Sequence, residues 1–209
     1  MNERYAQMGE HLLAGRAEEL KRAVEEAIEA GALPEQILGE AVMPAMEALG
    51  DRFSRGEAYL PELLLAAHTM QAAMKALGPA KDGGGGRQGK MLIGTVEGDI
   101  HDLGKNLVKM MFEGAGFAVV DAGINVAAEK FREAYEREKP DLLGLSSLLT
   151  TTMVEMEKVI RKVRGEHPDA RIIVGGAPIN QDFADKVGAD GYAPDAPSAV
   201  KVGKTILGL

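Results

Sequence analysis

The 209-residue chain contains no cysteine and no tryptophan. Without cysteine there is no disulfide framework, no thiolate metal site and no cysteine nucleophile. Aromatic residues make up only 4%, so the core must rest on Leu, Ile, Val, Ala and the 11 Met. Positive charge is also short. The 24 Lys and Arg are outnumbered by 32 Asp and Glu, giving a net charge of −8 and a pI near 5.1. That argues against nucleic acid as a main partner, because phosphate binding needs clustered cations. No apolar run approaches the roughly 20 residues of a membrane span, and Met1–Gly15 lacks a secretory pattern. A soluble cytoplasmic protein with no membrane partner is expected.

Glycine, in contrast, is abundant at 26 residues. Four are consecutive, in Lys81-Asp82-Gly83-Gly84-Gly85-Gly86-Arg87. Such a run packs no side chains and reads as a linker, here placed at 81–89. Residues 1–80 before it read as helix throughout. Ala17, Leu20, Ala23, Val24, Ala27 and Ile28 recur at helical spacing among charged residues. Pro34 suits the first turn of a helix from Glu35 to about Phe53, and Pro61 opens another. With a helix near Asn2–Leu13 these make a four-helix bundle. This segment holds 7 Lys and Arg against 13 Asp and Glu, an acidic solvated face.

From residue 90 to 209 the period changes. Strands are predicted at Met91–Val96, Phe117–Asp121, Asp141–Ser146, Arg171–Val174 and Gly191–Ala193. Helices are predicted near Leu103–Gly114, Ala127–Glu138, Thr152–Glu166, Gln181–Val187 and Ser198–Leu207. Five βα units in series imply a parallel sheet with helices on both faces. The predicted architecture is therefore an α + α/β chain: a helical bundle followed by a flavodoxin- or Rossmann-like five-stranded domain.

Such sheets bind ligands beyond the carboxyl ends of their strands, and the unusual residues fall there. Glu97-Gly98-Asp99-Ile100-His101-Asp102-Leu103-Gly104 follows the first strand. Ser146 to Thr152 follows the third, Gly175-Gly176-Ala177-Pro178 the fourth and Tyr192-Ala193-Pro194-Asp195 the fifth. The first loop lacks both a dinucleotide fingerprint and a P-loop. The third strand ends in Leu145-Ser146-Ser147, without the Asp of a receiver domain. A lone His is ordinarily a surface residue, but Asp99 lies two residues before His101. A carboxylate can fix one imidazole nitrogen and leave the other as base or metal ligand. One His cannot close a structural zinc site. It suffices for a metal that brings its own equatorial ligands, as in a haem-like or corrin macrocycle.

Asp99-x-His101-x-x-Gly104, Ser146-x-Leu148 and Gly175-Gly176 together resemble the three-part signature of cobalamin-binding domains. Gly50 to Pro61 is similar to the helical cap of methyltransferase-type corrinoid proteins. The resemblance covers nearly the whole chain and implies a cobalamin or related cobamide cofactor. It makes His101 the lower axial ligand to cobalt in place of the cofactor's own base. Asp99 would hold its far nitrogen, and Thr152, or alternatively Thr151, would end the relay. Ser146 and Leu148 would line the channel for the displaced nucleotide tail, with Gly175 and Gly176 admitting its close approach. Ile100, Asp102, Gly104, Thr150 and Tyr192 join them as implied cofactor contacts. Phe53 and Leu60 would cover the methyl face of cobalt, with the glycine run as the cap's hinge.

The implied activity is a methyl shuttle that cycles between Co(I) and methyl-Co(III). It would serve a substrate-specific methyltransferase and a second, methyl-accepting one, with a reductive activator. The chain would then be a subunit of a methyltransferase system, since 209 residues leave no room for a substrate-activating domain. The alternatives are the small subunit of an adenosylcobalamin mutase, which would not need this cap, and a cobalamin sensor, which would want a signalling segment.

Overall fold

The computed structural model describes residues 3–78 and 88–209. They form an N-terminal helical unit and, from Gln88 onward except for Gly114–Gly116, an α/β unit. The predicted linker at 81–89 lies outside the described residues except for Gln88 and Gly89. Gly89 is already the first residue of a strand.

The helical unit holds α1 (Glu3–Leu13), α2 (Ala17–Glu29), α3 (Pro34–Ile37), α4 (Met43–Ser54) and α5 (Leu60–Leu77). Burial follows the helical period. Leu20, Val24 and Ala27 are buried on α2, and Leu63, Ala66, Ala67, Met70 and Ala73 on α5. Glutamate and lysine cover the outward faces. The single helix predicted from Glu35 to Phe53 is corrected: a π-helical turn, Leu38–Val42, joins α3 to α4. Pro44 is the cause. It has no N–H to offer the carbonyl four residues back, and its ring crowds that carbonyl. The Met43 N–H bonds instead to the Leu38 carbonyl, five residues back. The chain thus still makes four helical rods, as the sequence implied. The Glu62 carboxylate caps α5 by accepting the Tyr59 N–H at 2.8 Å.

The α/β unit has five parallel strands: β1 (Gly89–Val96), β2 (Phe117–Val126), β3 (Leu142–Ser146), β4 (Ile172–Gly175) and β5 (Gly191–Ala193). Their order is β2-β1-β3-β4-β5, the flavodoxin-like arrangement, with its switch point between β1 and β3. The connecting helices are α6 (Leu103–Gly114), α7 (Ala128–Glu138), α8 (Glu155–Glu166), α9 (Gln181–Val187) and α10 (Ala196–Leu207). Side chains alternate across the sheet as a period of two demands. Leu92, Val96, Leu143, Leu145, Ile172 and Val174 pack with Phe131, Met156, Val159 and Val163 of α7 and α8. On the other face Phe112 of α6 lies edge-on to Phe117 and closes against Gly203 of α10.

Several boundaries differ from the sequence reading: β1 begins at Gly89 rather than Met91, and β3, β4 and α7 each begin one residue later than predicted. β2 runs on to Val126 rather than ending at Asp121. Its register against β1 shifts twice, so Gly123 sits at a bulge within the strand. α8 begins at Glu155 and not Thr152, because residues 150–154 are turns. α10 begins at Ala196 and not Ser198: the Asp195 carboxylate accepts the Ser198 N–H at 2.7 Å and Pro197 fits the first turn.

Candidate functional site

The loops that leave β1 and β3 part at the switch point, and a carboxylate joins them. Asp99 is fully buried. Its Oδ1 accepts the His101 N–H at 3.0 Å and lies 2.8 Å from His101 Nδ1. Its Oδ2 accepts the Leu148 N–H at 2.7 Å, the Thr152 hydroxyl at 3.0 Å and the Ser147 hydroxyl at 3.2 Å. Ser147 Oγ and Thr152 Oγ1 stand 2.8 Å apart, so one hydroxyl can donate to the other in place of Asp99. Burial alone would raise the pKa of this carboxyl. The backbone N–H groups of His101 and Leu148, then the His101 and Thr152 side chains, outweigh it and hold Asp99 far below the usual carboxylate range. Asp99 is therefore charged and can only accept.

That fixes the imidazole. Nδ1 carries the proton towards Asp99, and the lone pair is left on Nε2. Nε2 has no hydrogen-bond partner among the described residues, and the side chain is 47% exposed. The backbone at this point is held too. Buried Thr95, near the end of β1, donates its hydroxyl to the His101 carbonyl at 3.0 Å. Apolar side chains stand exposed around the imidazole's loops: Ile100, Leu103, Leu148 and Leu149.

Ser146, Gly175, Gly176 and Tyr192 lie half-buried at the carboxyl ends of β3, β4 and β5, whereas Asp102, Gly104 and Thr150 are exposed. Tyr192 packs against the sheet core. Thr152 is the threonine that reaches Asp99, while Thr151 is exposed. Phe53, half-buried on α4, and Leu60, exposed at the start of α5, belong to the helical unit. Sequence reasoning missed Ser147 and the Leu148 N–H. The signal available was the Ser146-Ser147 pair, since a strand turns one of two adjacent side chains to each face. It also missed Lys105. This lysine is buried, with Nζ 2.6 Å from Asp121 on β2 and 2.8 Å from Asn106 Oδ1. Asn106 in turn donates to the Asp102 carboxylate at 3.0 Å, beside His101. Burial works to raise the Asp121 pKa, but Lys105 and the Gly123 N–H outweigh it and lower it.

Among the described residues no group of three or more His, Asp or Glu side chains could hold a metal ion alone. One orientated imidazole with a free Nε2, rimmed by exposed apolar side chains, fits a metal held in a broad apolar ring.

A family model for the B12 binding domain matches residues 89–201, and a second of that description matches 5–77. Trimethylamine corrinoid protein 2 of Methanosarcina mazei is 39% identical over 196 residues, covering 91% of this chain and 90% of the relative. A corrinoid protein of Desulfitobacterium hafniense is 39% identical over 80% of each chain. Among solved structures, a cobalamin-binding protein from Desulfitobacterium hafniense superposes with a TM-score of 0.79 at 30% identity, over 97% of this chain and 98% of its own. The methanol:cobalamin methyltransferase complex of Methanosarcina barkeri superposes with a TM-score of 0.87 at 27% identity, over 99% of this chain and 80% of its chain.

Proposed function

The chain belongs to the B12-binding corrinoid proteins of methyltransferase systems, and on that footing we propose that it is a methyl carrier that holds its cobamide through His101. Cobamide binding follows from membership of the family. The carrier role is supported by the names of its relatives, which are trimethylamine and dimethylamine corrinoid proteins. A methyltransferase partner is supported by the likeness to the methanol:cobalamin methyltransferase complex.

One observation carries the finer reading: His101 Nδ1 is committed to a buried carboxylate, 2.8 Å away, that cannot donate. Nε2 would then be the nitrogen that holds the cobalt, in place of the cofactor's own base. When bound, the cofactor supplies the cobalt that accepts and releases the methyl group as it cycles between Co(I) and Co(III). The protein's own residues do the rest. Asp99 sets the tautomer and aim of the ring, and the His101 and Leu148 N–H groups with the Thr152 hydroxyl keep Asp99 charged. The Asp99–His101 pair can take a proton at Nε2 whenever that nitrogen is free, which couples ligation to protonation. Ser146 and Leu148 would line the path of the nucleotide tail, with Gly175 and Gly176 beside it. Phe53 and Leu60 would shield the reactive face from water. A donor methyltransferase, an acceptor methyltransferase and a reductive activator would act in turn on the loaded protein.

The test is reconstitution. The purified protein should take up one hydroxocobalamin. After reduction with titanium(III) citrate, the bound corrinoid should become methylated, by its visible spectrum, when a methylamine or methanol is supplied with the matching methyltransferase. Uptake of the cofactor without methylation by any such pair, under conditions that methylate free cobalamin, would contradict the carrier role.

A further inference from the structure

The loop that carries His101 is held from outside by an edge-strand residue. Ile93–Val96 of β1 is opposed by Asp121–Val126 of β2, so four residues face six through two successive register shifts. A bulged strand bends and re-aims its side chains. Here the extra residues bring Asn125 against the β1–α6 loop at two points. Its Oδ1 accepts the Gly98 N–H at 2.7 Å, and its own N–H donates to the Asp99 carbonyl at 2.9 Å. These two hydrogen bonds clamp Gly98 and Asp99, three and two residues before His101.

The clamp uses an unusual backbone. Asn125 has φ of +52°, one of two non-glycine residues with positive φ among the described residues. A side chain in this region is costly and persists where surrounding contacts impose it. Asparagine is among the residues that tolerate it best. Gly98 is also left-handed, at +80°, so the Glu97–Gly98 turn is pinned in a shape that a free loop would not keep. We propose that Asn125 is the positioning residue for the axial histidine, fixing through Gly98 and Asp99 where His101 Nε2 stands. The inference rests on the assignment of His101 as the cobalt ligand.

Two variants separate this role from a general contribution to folding. Asn125→Gly accepts φ of +52° without strain and keeps the backbone N–H, but loses the acceptor for Gly98. Asn125→Asp keeps the acceptor. Each is loaded with hydroxocobalamin and reduced to Co(II). The readouts are the dissociation constant and the fraction of EPR signal split by a histidine nitrogen. Asn125→Gly should weaken binding about tenfold, the scale of one lost hydrogen bond, with a matching fall in the histidine-split fraction. Asn125→Asp should stay near the parent protein in both. If Asn125→Gly keeps the parent affinity and splitting, even with a lower melting temperature, Asn125 is structural and the inference fails. If the parent protein itself shows no histidine splitting, the assignment of His101 fails, and this inference with it.

Discussion

Asp99→Asn should destabilise the α/β unit by about 2–4 kcal/mol, although it changes neither volume nor shape. The reason is the placement of donors. Oδ1 faces the His101 N–H and Oδ2 faces the Leu148 N–H, at 3.0 and 2.7 Å. An asparagine must put its NH₂ at one of these positions, and there it meets a backbone donor with no acceptor between them. At Oδ2 it also displaces the bonds from Ser147 and Thr152. Urea denaturation of the cofactor-free protein, followed by circular dichroism, reads the loss directly. A variant within about 0.5 kcal/mol of the parent would show that the buried cluster contributes little.

The same geometry sets a pH dependence. Hydrogen bonds depress the Asp99 pKa in the folded state relative to the unfolded chain. Its contribution is therefore fully present above the ordinary carboxylate range, near pH 4, and is lost as pH falls towards the folded value. The stability gap between the parent and Asp99→Asn should be widest near neutrality. It should narrow steadily below about pH 4.

Gly176→Ala should be comparably damaging, by about 3 kcal/mol or more. A Cβ at this position would stand 1.8 Å from the Ser147 carbonyl oxygen and 2.8 Å from its carbonyl carbon. Those atoms are backbone, so no rotamer change relieves the clash. The backbone also holds φ of +133°, a region closed to side-chain-bearing residues. Relief requires the β4 and β3 loops to separate. Ser147 belongs to the cluster around Asp99, so the displacement reaches His101. A fall in melting temperature of about 6–12 °C is expected for a chain of this size, with weakened hydroxocobalamin binding. Gly175→Ala is the internal control. Its Cβ would stand 3.1 Å from the Ala193 carbonyl without positive φ, so its effect should be smaller. Equal effects at both sites would contradict the assigned cause.

The residues that were legible in the sequence are those whose meaning depends on neighbours along the chain. Asp99 and His101 are two apart on one loop, so a carboxylate–imidazole pair could be read without a structure. The five βα units were legible because their periods change audibly, from alternation to helix and back. Ser147 was not legible, because the face an exiting strand presents depends on its last hydrogen bonds. Nor was the Leu148 N–H, since backbone donors leave no mark in a sequence. Lys105 and Asp121 are sixteen residues apart. Only the β1–β2 pairing brings them together, and a lysine in a helix reads as solvated. The run of β2 past Asp121 was not legible, because the bulge residues that follow it are of the kinds that turns also use. Pro44 was visible, but its consequence, a π turn in an unbroken rod, depends on packing that keeps the helix going.

The axial ligand is tested most directly by isotopic labelling. The protein is prepared with ¹⁵N-histidine, loaded with hydroxocobalamin and reduced to Co(II), and its EPR spectrum is compared with that of unlabelled protein. If His101 Nε2 coordinates cobalt, the nitrogen splitting changes from three lines to two on labelling, because ¹⁵N has half the nuclear spin of ¹⁴N. In His101→Ala the histidine-derived splitting disappears. A three-line pattern that survives labelling, or a histidine splitting that survives His101→Ala, would contradict coordination by His101.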